Sequence, residues 1–251
     1  MTLSIPKRIM QTWKDNDVPD RWKSSPKSIQ NHMSEWRYKL MTDKDNREFV
    51  QRYFPDFLGT YDAFPHPIQR ADAIRYMYLY IKGGIYMDLD YEVQRPLDDL
   101  FESSSDLYFV ESGNVGSYIT NSFMACKPRH PIWLSVIEEM KKGHPKWSII
   151  KHFQVMETTG PMMLTRVVRN GPWTYHMLPR SLLTPCSVCN ISCETSDDIY
   201  LKQLPGSSWL SWDSYFLIGI MCGWKGILKG LGVILLALFV ILIFALLVLY
   251  L

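Results

Sequence analysis

Apolar residues alternate or recur at helical spacing over most of the chain, then run unbroken from Leu231 to its end. Residues 5–13 are apolar-rich and predict a first strand, residues 22–36 a polar, helix-like stretch, residues 36–40 a second strand and residues 44–53 a short helix. Pro65-His66-Pro67 blocks helix continuation and gives the next element a clean start. Residues 68–82 then have helical spacing, with Ile74, Met77, Tyr78 and Ile81 on one side, and Gly83-Gly84 ends the helix. Residues 85–93 read as a short strand, 133–142 as another helix, and Thr158-Thr159-Gly160-Pro161 as a turn that opens one more at Met162. Pro205-Gly206-Ser207-Ser208 is a loop. Alternating short strands and helices predict an α/β domain with a mainly parallel sheet over residues 1–214.

The final run differs in kind. Residues 231–251 read LGVILLALFVILIFALLVLYL, without one charge. An apolar run of roughly 20 residues matches the hydrocarbon thickness of a bilayer, and a buried soluble helix is rarely apolar all the way round. The expectation is a C-terminal transmembrane helix over 231–251, reached through a juxtamembrane segment over 215–230. The first fourteen residues carry no apolar stretch long enough for a secretory leader. The expected form is therefore a single-pass protein with a C-terminal anchor in an endomembrane of Golgi or ER type. Lys225 and Lys229 precede the run and no charge follows it, which by the positive-inside rule favours a cytosolic globular domain. The Asn190-Ile191-Ser192 sequon has meaning only if its loop is lumenal.

The 251 residues carry 27 Lys and Arg against 25 Asp and Glu, a net charge of only +2, which gives no electrostatic reason to expect nucleic acid as a partner. Aromatic residues make up 14% of the chain; most are expected to fill the core, though Trp and Tyr also suit stacking on a base or a sugar. Among the five cysteines, Cys186, Cys189 and Cys193 cluster in a way that suits a disulfide knot or a zinc site. The spacing fits no standard finger, a fourth ligand such as His176 would be needed, and an odd count argues against full pairing. Ordinary or partly oxidised thiols are the expectation.

The chemistry concentrates in GGIYMDLDYE. On a strand, Tyr86, Asp88 and Asp90 would share one face, presenting two carboxylates at a strand end, where open α/β sheets bind ligands. Hard oxygen ligands suit Mg²⁺ or Mn²⁺, held by one or two carboxylates together with substrate phosphates. Asp-x-Asp alone is common at solvated strand ends. Here Asp72 and Arg75 lie three apart on the preceding helix, hence on one face, and lead through Gly-Gly to the same strand edge.

These residues in order, Gln69 to Tyr76, Leu79-Tyr80 and Gly83 to Asp90, resemble the Asp-x-Asp sugar-binding glycosyltransferases of family 32. That family includes inositol-phosphoceramide mannosyltransferases and the initiating α-1,6-mannosyltransferase type. The resemblance extends to Ile5–Trp13, Tyr38–Asp43, Asn121–Ala125 with His130-Pro131, Thr159-Gly160-Pro161 and Gly206–Trp209, covering roughly residues 5–213. It implies a GT-A-type, Rossmann-like nucleotide-sugar-binding domain, a nucleotide-sugar donor, a Mn²⁺ or Mg²⁺ cofactor and retention of anomeric configuration. By matched positions, Trp13 would stack on the donor base, Asp72 and Arg75 would hold sugar hydroxyls, and Tyr86 would touch the diphosphate. Asp88 would reach ribose, sugar or metal and Asp90 would ligate the metal, with Ser208 as a further metal ligand. Asn121 joins the donor-binding set, Ser208 and Trp209 would close over the diphosphate, and Asp88, Asp90 and Arg75 would carry catalysis. Many relatives read Ser-Trp-His where this chain has Ser208-Trp209-Leu210.

The expected reaction is transfer of a hexose, mannose from GDP-mannose, to a membrane-associated acceptor such as an inositol-phosphoceramide-type glycolipid. The alternatives are a glycan or protein acceptor, or a glycosyltransferase-like membrane-bound interaction protein with weak or no catalysis, for which Leu210 is the one argument. Intact Asp72, Arg75, Asp88 and Asp90 argue against the second, because carboxylates clustered with no cation repel one another.

Overall fold

The computed structural model describes residues 5–101, 105–112, 117–144, 148–183, 185–186, 189 and 198–223. Two compact units make up the chain, Met1–Trp209 and Leu210–Leu251.

In the first unit, β1 (Arg8–Thr12) leads to α1 (Ser24–His32), β2 (Arg37–Met41), α2 (Asp43–Tyr53) and α3 (Leu58–Ala63). The long helix α4 (Pro67–Lys82) runs into β3 (Gly84–Met87) and β4 (Tyr91–Val93), followed by β5 (Leu107–Phe109) and β6 (Phe123–Cys126). Then come α5 (Ile132–Lys141), α6 (Lys151–Thr158), α7 (Pro161–Asn170), β7 (His176–Met177), α8 (Arg180–Leu183) and β8 (Leu201–Gln203). Local signals explain several boundaries. Thr42 caps α2 in a reciprocal box with Asp45, and Pro67 opens α4 where a missing N–H costs nothing.

Six strands form one sheet in the order β2-β1-β3-β6-β5-β7. β1 pairs in parallel with β2 and β3, and β5 with β7, but β6 is antiparallel to both β3 and β5. The sheet is therefore mixed rather than mainly parallel. The physical reason is the connection: no crossover helix occurs among the described residues between β5 and β6, and neighbouring strands linked that way run antiparallel.

Side chains divide between the two faces with period two. Met10, Tyr86, Met124 and Phe109 join the core under α4, α5 and α7. Ile9, Ile85, Phe123 and Tyr108 join a second core with Ile29 of α1 and Leu183 of α8. The expected one-sided stripe on α4 is absent: every residue from Asp72 to Leu79 is buried, so the middle of the helix is enclosed on all sides.

Gly83 (φ 63°) and Gly84 (φ 90°) turn the chain from α4 into β3. A Cβ on Gly83 would stand 2.6 Å from the Pro128 nitrogen, and one on Gly84 2.5 Å from the Arg8 carbonyl oxygen. Only glycine fits both the left-handed backbone and the close approach.

The predicted single strand over 85–93 is two. The chain leaves the large sheet at Asp88, turns through Leu89 and Asp90, and enters a separate two-stranded sheet of β4 and β8.

Cys186, Cys189 and Cys222 are disulfide-bonded, which takes the oxidised side of the expectation and removes these sulfurs as zinc ligands. Cys126 is a free, buried thiol, and Cys193 lies outside the described residues. In the second unit, residues 212–223 are helical. The apolar run over 231–251 lies outside the described residues; among those described, no helix is long and apolar enough to cross a membrane.

Candidate active site

The Asp88–Asp90 turn is held from several directions. Gln11, fully buried in mid-β1, donates its side-chain amide to the Asp88 carbonyl at 3.0 Å, and the Asp88 N–H donates to the Ser122 carbonyl at 2.8 Å. Tyr91 N–H closes the turn onto the Asp88 carbonyl at 3.3 Å, and Leu204 N–H reaches the Asp90 carbonyl at 2.7 Å. Between the two aspartates, Leu89 is buried against Val18 and Trp22, with Trp13 and Leu204 packed on the same cluster. The apolar residue anchors the turn between the two carboxylates. A turn, and not strand alternation, keeps the pair together.

Arg75 organises the buried charges. Its guanidinium, 5% exposed, lies 2.8 Å from Asp72 Oδ1 and 3.0 Å from Asp88 Oδ1, and donates to the Asn121 carbonyl at 2.8 Å. It also lies 4.6 Å over the Tyr86 ring. Burial works against its charge, but the carboxylates of Asp88 and Asp72 prevail and keep it fully protonated. Tyr86 is buried beneath it and donates its hydroxyl to Asp88 Oδ1 at 2.5 Å; burial raises that phenol, so the proton stays.

Asp72 is 3% exposed and fully engaged. Thr159 Oγ1 donates to its Oδ2 at 2.9 Å and Asn121 Nδ2 to its Oδ1 at 3.1 Å, while Tyr76 donates to the Thr159 carbonyl at 2.6 Å. Desolvation still pushes Asp72 up to about 6 against the pull of Arg75 and these donors. Thr159→Val removes one donor from a buried carboxylate. The expected result is a loss of about 1–3 kcal/mol in denaturant unfolding. A shift of any acid limb in the pH–rate profile to higher pH should accompany it. A variant as stable as the parent would show that the Thr159 bond does not hold Asp72.

Asp88 and Asp90 differ in what surrounds them. Burial holds Asp88 above the usual carboxylate range, against Arg75 and the Tyr86 hydroxyl. Burial first, and the neighbouring Asp88 charge second, push Asp90 up to about 7. Its only side-chain contact of note is long, 3.5 Å from Gln203 Nε2 to Oδ2. Asp90 Oδ1 is buried and without a hydrogen-bond partner among the described residues. An unpaired carboxylate oxygen beside a second carboxylate fits a hard divalent cation. No group of three or more His, Cys, Asp or Glu suited to a metal occurs among the described residues, so further ligands would come from phosphate oxygens or water.

The 203–209 segment reaches this place because β8 pairs with β4. Trp22 donates its indole N–H to the Pro205 carbonyl at 3.1 Å, and Lys151 donates to the Trp209 carbonyl at 2.7 Å. Trp209 stacks on His152 with ring centroids 5.4 Å apart, while Ser208 is exposed on the same loop. Trp13 packs edge-on against Trp22 at 5.3 Å, and its indole N–H is buried without a partner among the described residues.

Asp72, Arg75, Tyr86, Asp88 and Asn121 thus form one connected group, with Asp90 beside it. Thr159, Tyr76 and Gln11 fall within the stretches that carry the resemblance, but the sequence assigns them no role in the site. A signal existed for Gln11, a polar residue in the middle of an otherwise apolar strand; for Tyr76 and Thr159 the contact spans 83 positions and leaves no local trace.

Residues 19–106 match the family described as the glycosyltransferase sugar-binding region containing the DXD motif. Over 233 residues the chain is 32% identical to inositol phosphoceramide mannosyltransferase 3 of Schizosaccharomyces pombe, covering 88% of this chain and 60% of that protein. Over 164 residues it is 38% identical to mannosyl phosphorylinositol ceramide synthase CSH1 of Saccharomyces cerevisiae, covering 65% of this chain and 42% of that protein. The chain thus spans 60% or less of the length of these two relatives. In structure it is similar to the PaToxG glycosyltransferase (TM-score 0.50, 16% identity, 65% of this chain and 69% of that one). It is also similar to the ligand-free glycosyltransferase domain of the YGT toxin (TM-score 0.51, 8% identity, 69% of this chain and 80% of that one). At such identities the likeness speaks for the fold alone, which is GT-A-like.

Proposed function

We propose, from the match of residues 19–106 to the sugar-binding region of DXD-motif glycosyltransferases, that the chain belongs to that family and moves a hexose from a nucleotide sugar to a membrane lipid. We take the donor to be GDP-mannose and the acceptor an inositol-phosphoceramide-type lipid, because the relatives at 32% and 38% identity bear the names of enzymes that mannosylate such lipids. The observation that carries the reading is the unpaired Asp90 oxygen beside Asp88, next to the buried Asp72–Arg75 pair.

Asp88 and Asp90 would hold Mn²⁺ or Mg²⁺, which when bound supplies positive charge opposite the departing diphosphate. Ser208 is the candidate for a further ligand. Arg75 needs no reorganisation, because Asp72, Asp88 and the Asn121 carbonyl already fix its guanidinium. Asp72 and Arg75 orient the sugar hydroxyls, with Asn121 behind them. Trp13 flanks the donor base, and Ser208 and Trp209 cover the diphosphate and limit water. Tyr86 acts through Asp88, to which it donates its hydroxyl. The acceptor hydroxyl attacks from the face the diphosphate leaves, its proton passing to a donor phosphate oxygen, and configuration is retained.

A screen of GDP-mannose, UDP-glucose, UDP-galactose and UDP-GlcNAc against an inositol-phosphoceramide acceptor tests the assignment. Transfer from GDP-mannose above the other three is expected. Transfer from a UDP-sugar instead would overturn the donor, and donor hydrolysis without lipid product would overturn the acceptor.

We further propose that residues 231–251 anchor the protein in an endomembrane and that residues 1–214 form the catalytic domain on the lumenal side. Disulfides at Cys186, Cys189 and Cys222 persist in oxidising compartments, an argument that outweighs two lysines. Asn190 then becomes a glycosylation acceptor. Protein made in eukaryotic cells should gain mobility on endoglycosidase treatment, and Asn190→Gln should abolish that shift. An unmodified Asn190 together with thiols that react freely with maleimide would return the domain to the cytosol.

A further inference from the structure

The helix over residues 212–223 has its polarity reversed for a water-facing element. Its outward residues are Trp212, Tyr215, Phe216, Gly219, Ile220 and Gly223, which recur at three- and four-residue spacing and so form one continuous face. Not one of them is charged. Trp212 is 78% exposed, Phe216 63% and Tyr215 60%, whereas Asp213 and Ser214 are buried. Ser211 donates its hydroxyl to Asp213 Oδ1 at 2.5 Å, and its carbonyl accepts the Tyr215 N–H at 3.0 Å. Exposed Leu or Ile scattered singly is ordinary, but three aromatics and an isoleucine on one uncharged helix face are not.

We propose that this face lies in the headgroup layer of a bilayer, with Trp212, Tyr215, Phe216 and Ile220 inserted and the helix axis parallel to the membrane. Three observations choose a lipid surface over other occupants. Trp and Tyr, each with an apolar ring and one polar atom, are the residues enriched at that depth. Only residues 224–230 separate the helix from the uncharged run over 231–251, so at no more than ~3.6 Å per residue the helix end stays within about 30 Å of the anchor. Lys225 and Lys229 lie in that connection, where anionic headgroups such as inositol phosphates attract them. The inference rests on the proposed anchor and adds a function to it: an interfacial helix holds the chain against the surface in which a lipid acceptor resides, limiting its reach to the headgroup layer.

The test uses the full chain carrying Phe216→Cys labelled with pyrene, reconstituted into vesicles of phosphatidylcholine and phosphatidylinositol. Lipids bearing a nitroxide near the headgroup should reduce pyrene monomer emission about twofold or more, and aqueous iodide should have little effect, as expected for a side chain a few ångströms below the surface. Emission quenched by iodide and indifferent to nitroxide lipids would overturn the proposal. Excimer emission without lipid quenching would overturn it too, by assigning the face to a second copy of the chain. Retention of the protein in alkali-washed vesicles is read separately and decides the anchor: retention without lipid quenching leaves the anchor standing and removes the interfacial helix, while quenching with release does the reverse.

Discussion

Arg75→Ala is expected to destabilise the protein by about 3–5 kcal/mol, the scale on which breaking a buried ion pair strands its partners. The guanidinium is shared by Asp72 and Asp88 and is 5% exposed, so removing it leaves two carboxylates in a poorly solvated place with no cation between them. It also frees the Asn121 carbonyl and uncovers the Tyr86 ring. Denaturant unfolding at neutral pH measures the loss. Adding Asp88→Asn to Arg75→Ala should recover part of it, because the stranded charge then disappears, and that recovery would not follow from a mere cavity. Arg75→Lys keeps the charge but lacks the fork that reaches both carboxylates and the carbonyl together, so it should fall between the parent and the alanine variant. An alanine variant of parental stability would remove the buried charge cluster from the account.

Asp90→Asn should act in the opposite direction on stability while removing activity. In metal-free buffer the Asp90 carboxyl is raised from 3.8 to about 7 in the folded protein. A folded state that binds its proton more tightly than the unfolded state is penalised once that proton is lost. The penalty is therefore absent below about pH 4 and grows until about pH 7. Asparagine carries no such charge. The variant should match the parent at pH 4 and melt higher at pH 8, by about 2–4 °C for each kcal/mol recovered in a chain of this size. Adding Mn²⁺ should raise the melting temperature of the parent and leave the variant unmoved. Glycosyl transfer by the variant should fall by about 10²–10³-fold or more, the loss typical of one preorganised electrostatic contact in a reacting site. A variant with parental turnover would contradict the role given to Asp90.

The order of strands and helices was legible in the sequence wherever a local pattern determined it. β1, β2, α2, α4, α5 and α7 all begin or end at signals within a few residues, such as Pro67 or Gly83-Gly84. Pairing was not legible, because register is a long-range property. Nothing near residues 123–126 reveals that they lie antiparallel to 84–87, and this turned a mainly parallel expectation into a mixed sheet. The Asp88–Asp90 motif was found for a partly mistaken reason: a turn anchored by Leu89 holds the carboxylates, not an alternating strand. Asp72 and Arg75 were legible as facing the same strand edge, but Asp-x-x-Arg carries no mark of burial; residues Asp72 to Leu79 of α4 are all buried, and that makes the pair expensive and informative. For the cysteines, spacing alone fits thiol, disulfide and metal ligand alike, and only the folded chain separates them.

The measurement that bears most directly on the central claim is Mn²⁺ binding to the purified, full-length protein, followed by the electron paramagnetic resonance of the free ion as GDP is added. Nucleotide phosphates and the Asp88–Asp90 pair together should hold the ion far better than either alone. In the parent, the free-ion signal should therefore drop when GDP and protein are both present, well beyond the drop with GDP alone, and Asp90→Asn should abolish the difference. Equal binding by parent and variant would contradict a divalent-cation site at this turn, and with it the proposed mechanism of sugar transfer.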